Sequence, residues 1–140
     1  AASGGIILHT VAGDIPVGTG LVNGNSKFVN APKWTASVGL AYTAETAIGK
    51  FSPRVDWAYR SDVFLDALNT PLLHQPGYGL WNGTVSYTDT AENWTVSVGA
   101  KNIFNKRFLV AGYADVGASG FVEGVYNRGR EWQIEVRRKF

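Results

Sequence analysis

The sequence predicts an all-β fold: an antiparallel, up-and-down run of about five membrane-spanning strands. Three observations carry this. Apolar and polar side chains alternate with a period of two in five separate segments. Each segment is 10 to 11 residues long, well beyond the usual strand of a soluble sheet. The connections between segments are alternately short and long.

The first segment, 33–43, puts Trp34, Ala36, Val38, Leu40 and Tyr42 on one parity and Thr35, Ser37, Gly39, Ala41 and Thr43 on the other. In 50–60, Phe51, Pro53, Val55, Trp57 and Tyr59 oppose Lys50, Ser52, Arg54, Asp56, Ala58 and Arg60. Pro53 cannot donate to a ladder, but it lies near a short turn, where a bulge would absorb it. In 79–88, Gly79, Trp81, Gly83, Val85 and Tyr87 oppose Leu80, Asn82, Thr84, Ser86 and Thr88. In 94–104, Trp94, Val96, Val98, Ala100, Asn102 and Phe104 oppose Thr95, Ser97, Gly99, Lys101 and Ile103. In 131–140, Trp132, Ile134, Val136, Arg138 and Phe140 oppose Glu131, Gln133, Glu135, Arg137 and Lys139. Of 26 positions on the apolar parity one is charged (Arg138); of 27 on the other, counting Lys33, ten are. A helix would mix the two sets.

A soluble sandwich also alternates, with its apolar face turned inward. Strand length separates the two readings. Ten residues at about 3.3 Å each, tilted about 45°, rise roughly 23 Å, close to the ~25 Å apolar band of a membrane barrel. Ring placement separates them too. Trp34 and Tyr42 bracket the first segment, Phe51 and Tyr59 the second, Trp94 and Phe104 the fourth, and Trp132 and Phe140 the fifth, with Tyr87 near the end of the third. Rings at both edges with aliphatic residues between form the girdle of a membrane interface. The connections agree. Residues 44–49 and 89–93 are short; 61–78 and 105–130 are long. With the C-terminus in the periplasm, both short turns fall on the periplasmic side and both long loops outside, together with residues 1–32, which read as loop.

Composition bounds the rest. Apolar residues make up 45% and charged residues 17%, and 18 rings (five Trp, six Tyr, seven Phe) argue against disorder. Without a single Cys there is no zinc finger, disulfide scaffold or thiol-ligated cluster. Thirteen basic against eleven acidic residues give +2, and no basic patch interleaves with aromatics, so nucleic acid is not an expected partner. No stretch reaches the ~20 apolar residues of a membrane helix, and no signal peptide is visible. Without an initiator Met, the chain reads as mature or excised.

From residue 30 onward the sequence resembles the C-terminal end of a TonB-dependent outer-membrane receptor. Asn30-Ala31-Pro32-Lys33-Trp34, followed by Val38-Gly39-Leu40-Ala41-Tyr42, resembles the start of a late barrel strand in that family. Trp94-Thr95-Val96-Ser97-Val98 running into Lys101-Asn102-Ile103-Phe104-Asn105-Lys106-Arg107-Phe108 resembles its strand and following motif. Arg128-Gly129-Arg130 before Trp132, and the terminal Phe140, resemble its last strand. The resemblance implies a larger barrel of about 22 strands around a plug domain, importing scarce nutrients such as ferric siderophores with energy passed through TonB. Five strands without a plug imply a truncated or excised piece that is not transport-competent alone. The implied partners are outer-membrane lipid and the barrel assembly machinery, with the plug domain and TonB engaged only in the intact parent. Trp132, Ile134, Val136 and Phe140 resemble the signal read by that machinery, a free edge strand suited to β-augmentation, which Arg138 interrupts.

No catalytic constellation, cofactor site or metal site is expected. His9 and His74 lie far apart in loops, and Asp62 and Asp66 read as loop carboxylates without a His or Cys nearby. Glu131 and Glu135, interleaved with Arg137 and Lys139, read as a hydrated lumen wall or plug-contacting surface and not as a proton relay. Gly18-Thr19-Gly20 and Gly24 lack the strand–helix context of a phosphate loop. Two other readings compete. One is a soluble β-sandwich module binding carbohydrate or another ligand, which would bury Trp34, Trp57 and Trp94 between two sheets. The other is a small pore closed by several protomers joining edges.

Overall fold

The computed structural model describes residues 7–10, 13–16, 24–115 and 119–140. Their elements, in chain order, are β1 (Ile7–Thr10), β2 (Gly13–Pro16), β3 (Thr35–Ala41), β4 (Ala44–Thr46), β5 (Gly49–Arg60), β6 (Val63–Phe64), a 3-10 turn (Pro71–Leu73), β7 (His74–Gln75), β8 (Tyr78–Asp89), β9 (Trp94–Lys101), β10 (Leu109–Asp115), β11 (Phe121–Tyr126) and β12 (Glu131–Arg138). No α-helix occurs among the described residues. The chain clusters into two compact units. One comprises 35–59, 79–107 and 128–140; the other comprises 1–34, 60–78 and 108–127.

The first unit is a single open sheet in the order β12-β9-β8-β5-β3, with β4 also on β5. Each of the five alternating segments supplies one long strand, and neighbours in the sheet are neighbours in the chain. β12 and β9 run antiparallel from Glu131 opposite Lys101 to Arg138 opposite Trp94. β8 and β9 do so from Gly83 opposite Ala100 to Thr88 opposite Thr95. β4 pairs with β5 from Ala44 opposite Phe51 to Thr46 opposite Gly49. The turn at Ala47-Ile48 is thus tighter than the 44–49 connection the sequence suggests. Gly49 has φ of 140°, and a Cβ there would strike the Thr88 carbonyl, so the chain can only leave this turn through glycine.

Pro53 explains the break between β3 and β4. Tyr42 N–H donates to Pro53 O at 3.0 Å, in the register that pairs Ala44 with Phe51. Pro53 has no N–H to return the bond. One ladder bond is missing opposite Tyr42, and the register does not shift, so no bulge forms there. The fourth segment departs from expectation at its end. β9 stops at Lys101 because Asn102 is left-handed, with φ of 51°. The reversal carries Ile103 to the apolar side, where its Cδ1 lies 3.3 Å from the position a Cβ on Gly83 would take.

The second unit replaces bare loop with short strands. β6 pairs with β7, and β10 with β11, the latter with an irregularity between Leu109 and Ala111. β1 and β2 form a hairpin inside the stretch read as loop, and they include His9. The Gly18-Thr19-Gly20 run lies outside the described residues, and Gly24 sits in a turn. β6 and β7, of two residues each, are too short to show a period-two signal, and β10 (Leu109–Asp115) does not alternate apolar with polar, which is why the sequence reads these stretches as loop. This unit has its own small core: Val63 and Leu73 are buried with Thr70. Gly112 of β10 lies against Leu73, and a Cβ there would collide with its Cδ2. Leu73→Ala is expected to destabilise this unit by about 2–5 kcal/mol, the range for buried leucine truncations. Hydrogen exchange should show faster amides in β6, β7 and β10 and unchanged protection in β8 and β9.

Candidate functional site

The sheet carries its apolar parity uncovered. Leu40 is 72% exposed, Trp132 68% and Ile134 74%, and Ala100 is the one buried hydrophobic residue of the sheet unit. Trp34 and Trp94 are exposed and Trp57 half-buried, and no second sheet covers this face among the described residues. A soluble sandwich would bury all three tryptophans.

The rings gather at both ends of the strands. Near the Ala47-Ile48 turn, Phe51 packs on Tyr87 with centroids 5.0 Å apart, and the Tyr87 hydroxyl donates to Ile48 O. At that same end Arg138 places its guanidinium 5.1 Å over the Trp94 ring and 4.9 Å from that of Phe140. Arg138 therefore does not leave a bare charge in the apolar series; its cation sits between two ring faces. At the other end Trp57 lies 6.2 Å from both Tyr59 and Trp81, and Trp81 meets Phe104 edge-on at 6.4 Å. Tyr42 lies in the gap between β3 and β4, and Trp34 just precedes β3; both are exposed. Ile134 and Val136 line β12 between Trp132 and Phe140. Sequence reasoning left Trp57 and Trp81 out of the end cluster. Each looks mid-strand or unpaired in its own segment, and only the cross-strand register brings them together.

The opposite parity satisfies itself. Arg54 forms two bonds to Asp56 (2.8 and 2.7 Å), and Arg137 bonds Glu135 at 2.7 Å. Hydroxyl pairs bridge neighbouring strands: Ser86 with Ser97 (2.8 Å) and Thr88 with Thr95 (3.1 Å). Glu131 lies 3.6 Å from Arg128. Asp56, Glu131 and Glu135 thus each have an arginine within ion-pair distance.

In the second unit a cluster forms that the sequence did not reveal. Asp62 Oδ2 accepts from Lys27 Nζ at 2.9 Å and lies 3.2 Å from His74 Nε2. Asp62 thus has a His partner, contrary to the sequence reading, because β6 and β7 bring positions twelve apart side by side. The His74 ring lies tilted against Phe64 with centroids 4.7 Å apart, and Lys27 Nζ lies 5.4 Å from the Phe64 ring, so His74 is a packed residue and not merely a solvated one. The Lys27 hydrogen bond and, next, that of His74 hold the Asp62 carboxyl down at about 2. Asp66 accepts from the Thr70 amide (2.9 Å) and hydroxyl, closing the turn before Pro71. No group of three or more metal-binding side chains occurs among the described residues.

A sheet one layer thick, apolar on one side and self-paired on the other, with rings at both ends of its strands, is the sheet of an outer-membrane β-barrel protein. The family model described as TonB dependent receptor-like, beta-barrel matches residues 8–103, and the chain belongs to that family, whose members are receptors. The match begins upstream of the motifs noted above and stops short of Arg128-Gly129-Arg130 and Phe140. Among solved structures, the chain is similar to the ferric yersiniabactin uptake receptor FyuA from Yersinia pestis, with a TM-score of 0.71 and 25% identity over 80% of this chain. It also shares its fold with BauA, the ferric preacinetobactin receptor from Acinetobacter baumannii, with a TM-score of 0.61 and 21% identity over 88% of this chain. The chain spans 17% of the first and 18% of the second. No curated protein matches it in sequence.

The contacts of Asp62 set a pH window. Its pKa is lowered on folding, so the stabilisation it contributes is complete above the ordinary value of 3.8 and is lost as pH falls towards about 2. Carbon NMR of the Asp62 carboxyl is expected to titrate near that lower value, and Lys27→Met should move the midpoint upward, because Lys27 is the larger cause.

Proposed function

We propose that this chain supplies the C-terminal strands of an outer-membrane receptor barrel for TonB-dependent uptake of a scarce nutrient such as a ferric siderophore. The observation that carries the reading is the uncovered apolar face on a single sheet of this family. The likeness to FyuA supports the siderophore class. On this reading residues 33–140 are barrel strands and 1–32 is the remnant of an extracellular loop. The C-terminus is periplasmic, which puts the turns after β4 and β8 on the periplasmic side and the long connections 61–78 and 105–130 outside.

The side chains then take distinct roles. Trp34, Tyr42, Phe51, Tyr59, Tyr87, Trp94 and Phe104 form interface girdles, joined by Trp57 and Trp81. The apolar parity between them faces outer-membrane lipid. Trp132, Ile134, Val136 and Phe140 are the signal offered to the barrel assembly machinery along the open edge of β12. The plug domain and TonB act in the intact parent; the chain neither transports alone nor catalyses a reaction.

Two measurements test this. In buffer without detergent the chain is expected to aggregate, and in micelles or vesicles to become a monodisperse β protein. A stable monomer in plain buffer would overturn the membrane reading. Removing Phe140 is expected to slow insertion by reconstituted assembly machinery severalfold, and unchanged insertion would remove Phe140 from the signal.

A further inference from the structure

The β10–β11 hairpin seats one face on its own unit. Gly112 and Gly124 stand opposite each other, and a Cβ on either would strike a leucine, Leu73 in the first case and Leu109 in the second. The base of the hairpin is closed both ways: Phe108 N–H donates to Asn127 Oδ1 at 2.9 Å, and Asn127 N–H to Phe108 O at 3.0 Å. The Leu109 amide donates to the side chain of buried Gln75 at 2.7 Å. The other face carries a regular pattern. Tyr113 stands opposite Glu123, and Asp115 opposite Phe121. Side chains directly opposite in an antiparallel pair share a face, with Cβ atoms about 4.5–5.5 Å apart. These four residues therefore form a square, with rings on one diagonal and carboxylates on the other. The two ring centroids lie 5.9 Å apart, with their planes at 48°. Tyr113 is 59% exposed and Phe121 46%. Ser119 Oγ donates to Asp115 Oδ2 at 2.8 Å and holds that carboxylate at its corner. From Phe108 to Asn127 the sequence contains these two acids and no Lys, Arg or His.

We propose that this square is a docking site for a lysine or arginine side chain presented by another protein. The rings offer π faces to the cation, and the two carboxylates offer the opposite charge. Charge complementarity selects the occupant, because the hairpin supplies two acids and no base of its own to neutralise them. Shape selects the source. Small-molecule sites are concave and enclose most of their ligand, whereas this is the open face of a two-stranded hairpin. A cation carried on a protein surface fits such a face; a free amine would find no walls. Ala111 and Val125, opposite each other, continue the same face and give the aliphatic stem of the incoming side chain an apolar strip to lie on. The site lies wholly in the second unit, so it stands apart from the membrane reading of the sheet.

The test uses the whole chain in nonionic micelles, with its backbone amides followed by NMR. The probe is a peptide of alternating glycine and lysine, compared with a twin in which every lysine is acetylated, a change that keeps the length and removes the charge. The charged peptide is expected to shift the amides of Tyr113, Phe121 and Glu123 and to bind at least about fivefold more tightly than its twin, a preference of the size that exposed cation–ring and ion-pair contacts supply together. Asp115→Asn combined with Glu123→Gln should abolish that preference. Tyr113→Leu combined with Phe121→Leu keeps apolar bulk but loses the π faces, and should lower the preference about twofold or more. Glu45→Gln, which removes a carboxylate of the sheet unit, should leave it intact. Equal binding of the two peptides, shifts confined to residues outside the hairpin, or a preference that survives the loss of both acids overturns the proposal. A preference untouched by the two leucine substitutions removes the rings from the site and overturns the square. Methylammonium that displaces the peptide at equal charge concentration assigns the face to a free amine and overturns the protein partner.

Discussion

A sheet one layer thick has to leave its apolar side to its surroundings. That constraint governs everything else in this chain. Soluble sheets solve it with a helix or second sheet about 10 Å away. Here Trp132, Ile134, Val136 and their neighbours on β9 and β3 stand open instead. Exposed apolar area disfavours the state by about 25 cal/mol per Å² in water and by almost nothing in hydrocarbon. The polar parity shows the complementary solution. Arg54–Asp56, Arg137–Glu135 and the hydroxyl pairs Ser86–Ser97 and Thr88–Thr95 satisfy one another on a face that stays wet. The two faces are built for two different solvents, and alternation along each strand is the simplest sequence that delivers both.

The ends of the strands have to manage the change of solvent. Rings do most of this, because an indole or phenol has an apolar body and a polar edge. Arg138 and Arg130 add a second device. Each lays its guanidinium over a tryptophan, Trp94 and Trp132 respectively, so the charge stays near the interface and the stem covers the ring. Apart from Gly49 and Glu92 in the two short turns, and Gly120, the residues of positive φ among those described are asparagines. Asn30, Asn69, Asn102 and Asn105 are all left-handed. Asn102 also brackets its turn, accepting from the Lys106 amide at 2.8 Å and donating to its carbonyl at 2.9 Å. The asparagines of the sequence motifs are thus turn formers, and their value lies in tolerating positive φ while closing a local bond.

The five long strands were legible because period two over ten residues has no helical equivalent. Two of the pairings, β3 with β5 and β8 with β9, were legible because a short turn leaves consecutive strands no alternative; β5 with β8 and β9 with β12 cross long connections and were expected only from the up-and-down order. The departures came from single residues that alternation does not weigh. Pro53 removes one donor, and the pairing skips one bond without shifting register. Asn102 ends β9 early, and Ile103 changes face. The second unit was illegible for a different reason. β6 and β7 have two residues each, and their pairing is what sets His74 beside Asp62. A contact made by such short strands leaves no pattern in the sequence, whereas Gly112 over Leu73 leaves only an unremarkable glycine. The cation–ring pairs were half legible: Arg138 was visible as an anomaly on the apolar parity, but the ring opposite it appears only once β12 is registered against β9.

The solvent that accepts the apolar face also imposes a demand on the edges. Among the described residues β3 and β12 each pair on one side only. About half the backbone donors and acceptors of an edge strand point away from its partner. In hydrocarbon each unpaired group costs several kcal/mol, so an edge along the eight residues of β12 is far more unfavourable than the whole net stability of an ordinary domain. Lipid therefore covers the face and at the same time forces the edges to find strands. Further strands on either side would meet the demand, and so would a second copy joined edge to edge. The receptor barrel proposed above would take the first route, since a closed cylinder leaves no edge. In that barrel, pairing along β12 would be the step that seals it. A closing strand that presents Trp132, Ile134 and Val136 to lipid on one face and Glu135 with Arg137 to water on the other is already sided correctly before its partner arrives.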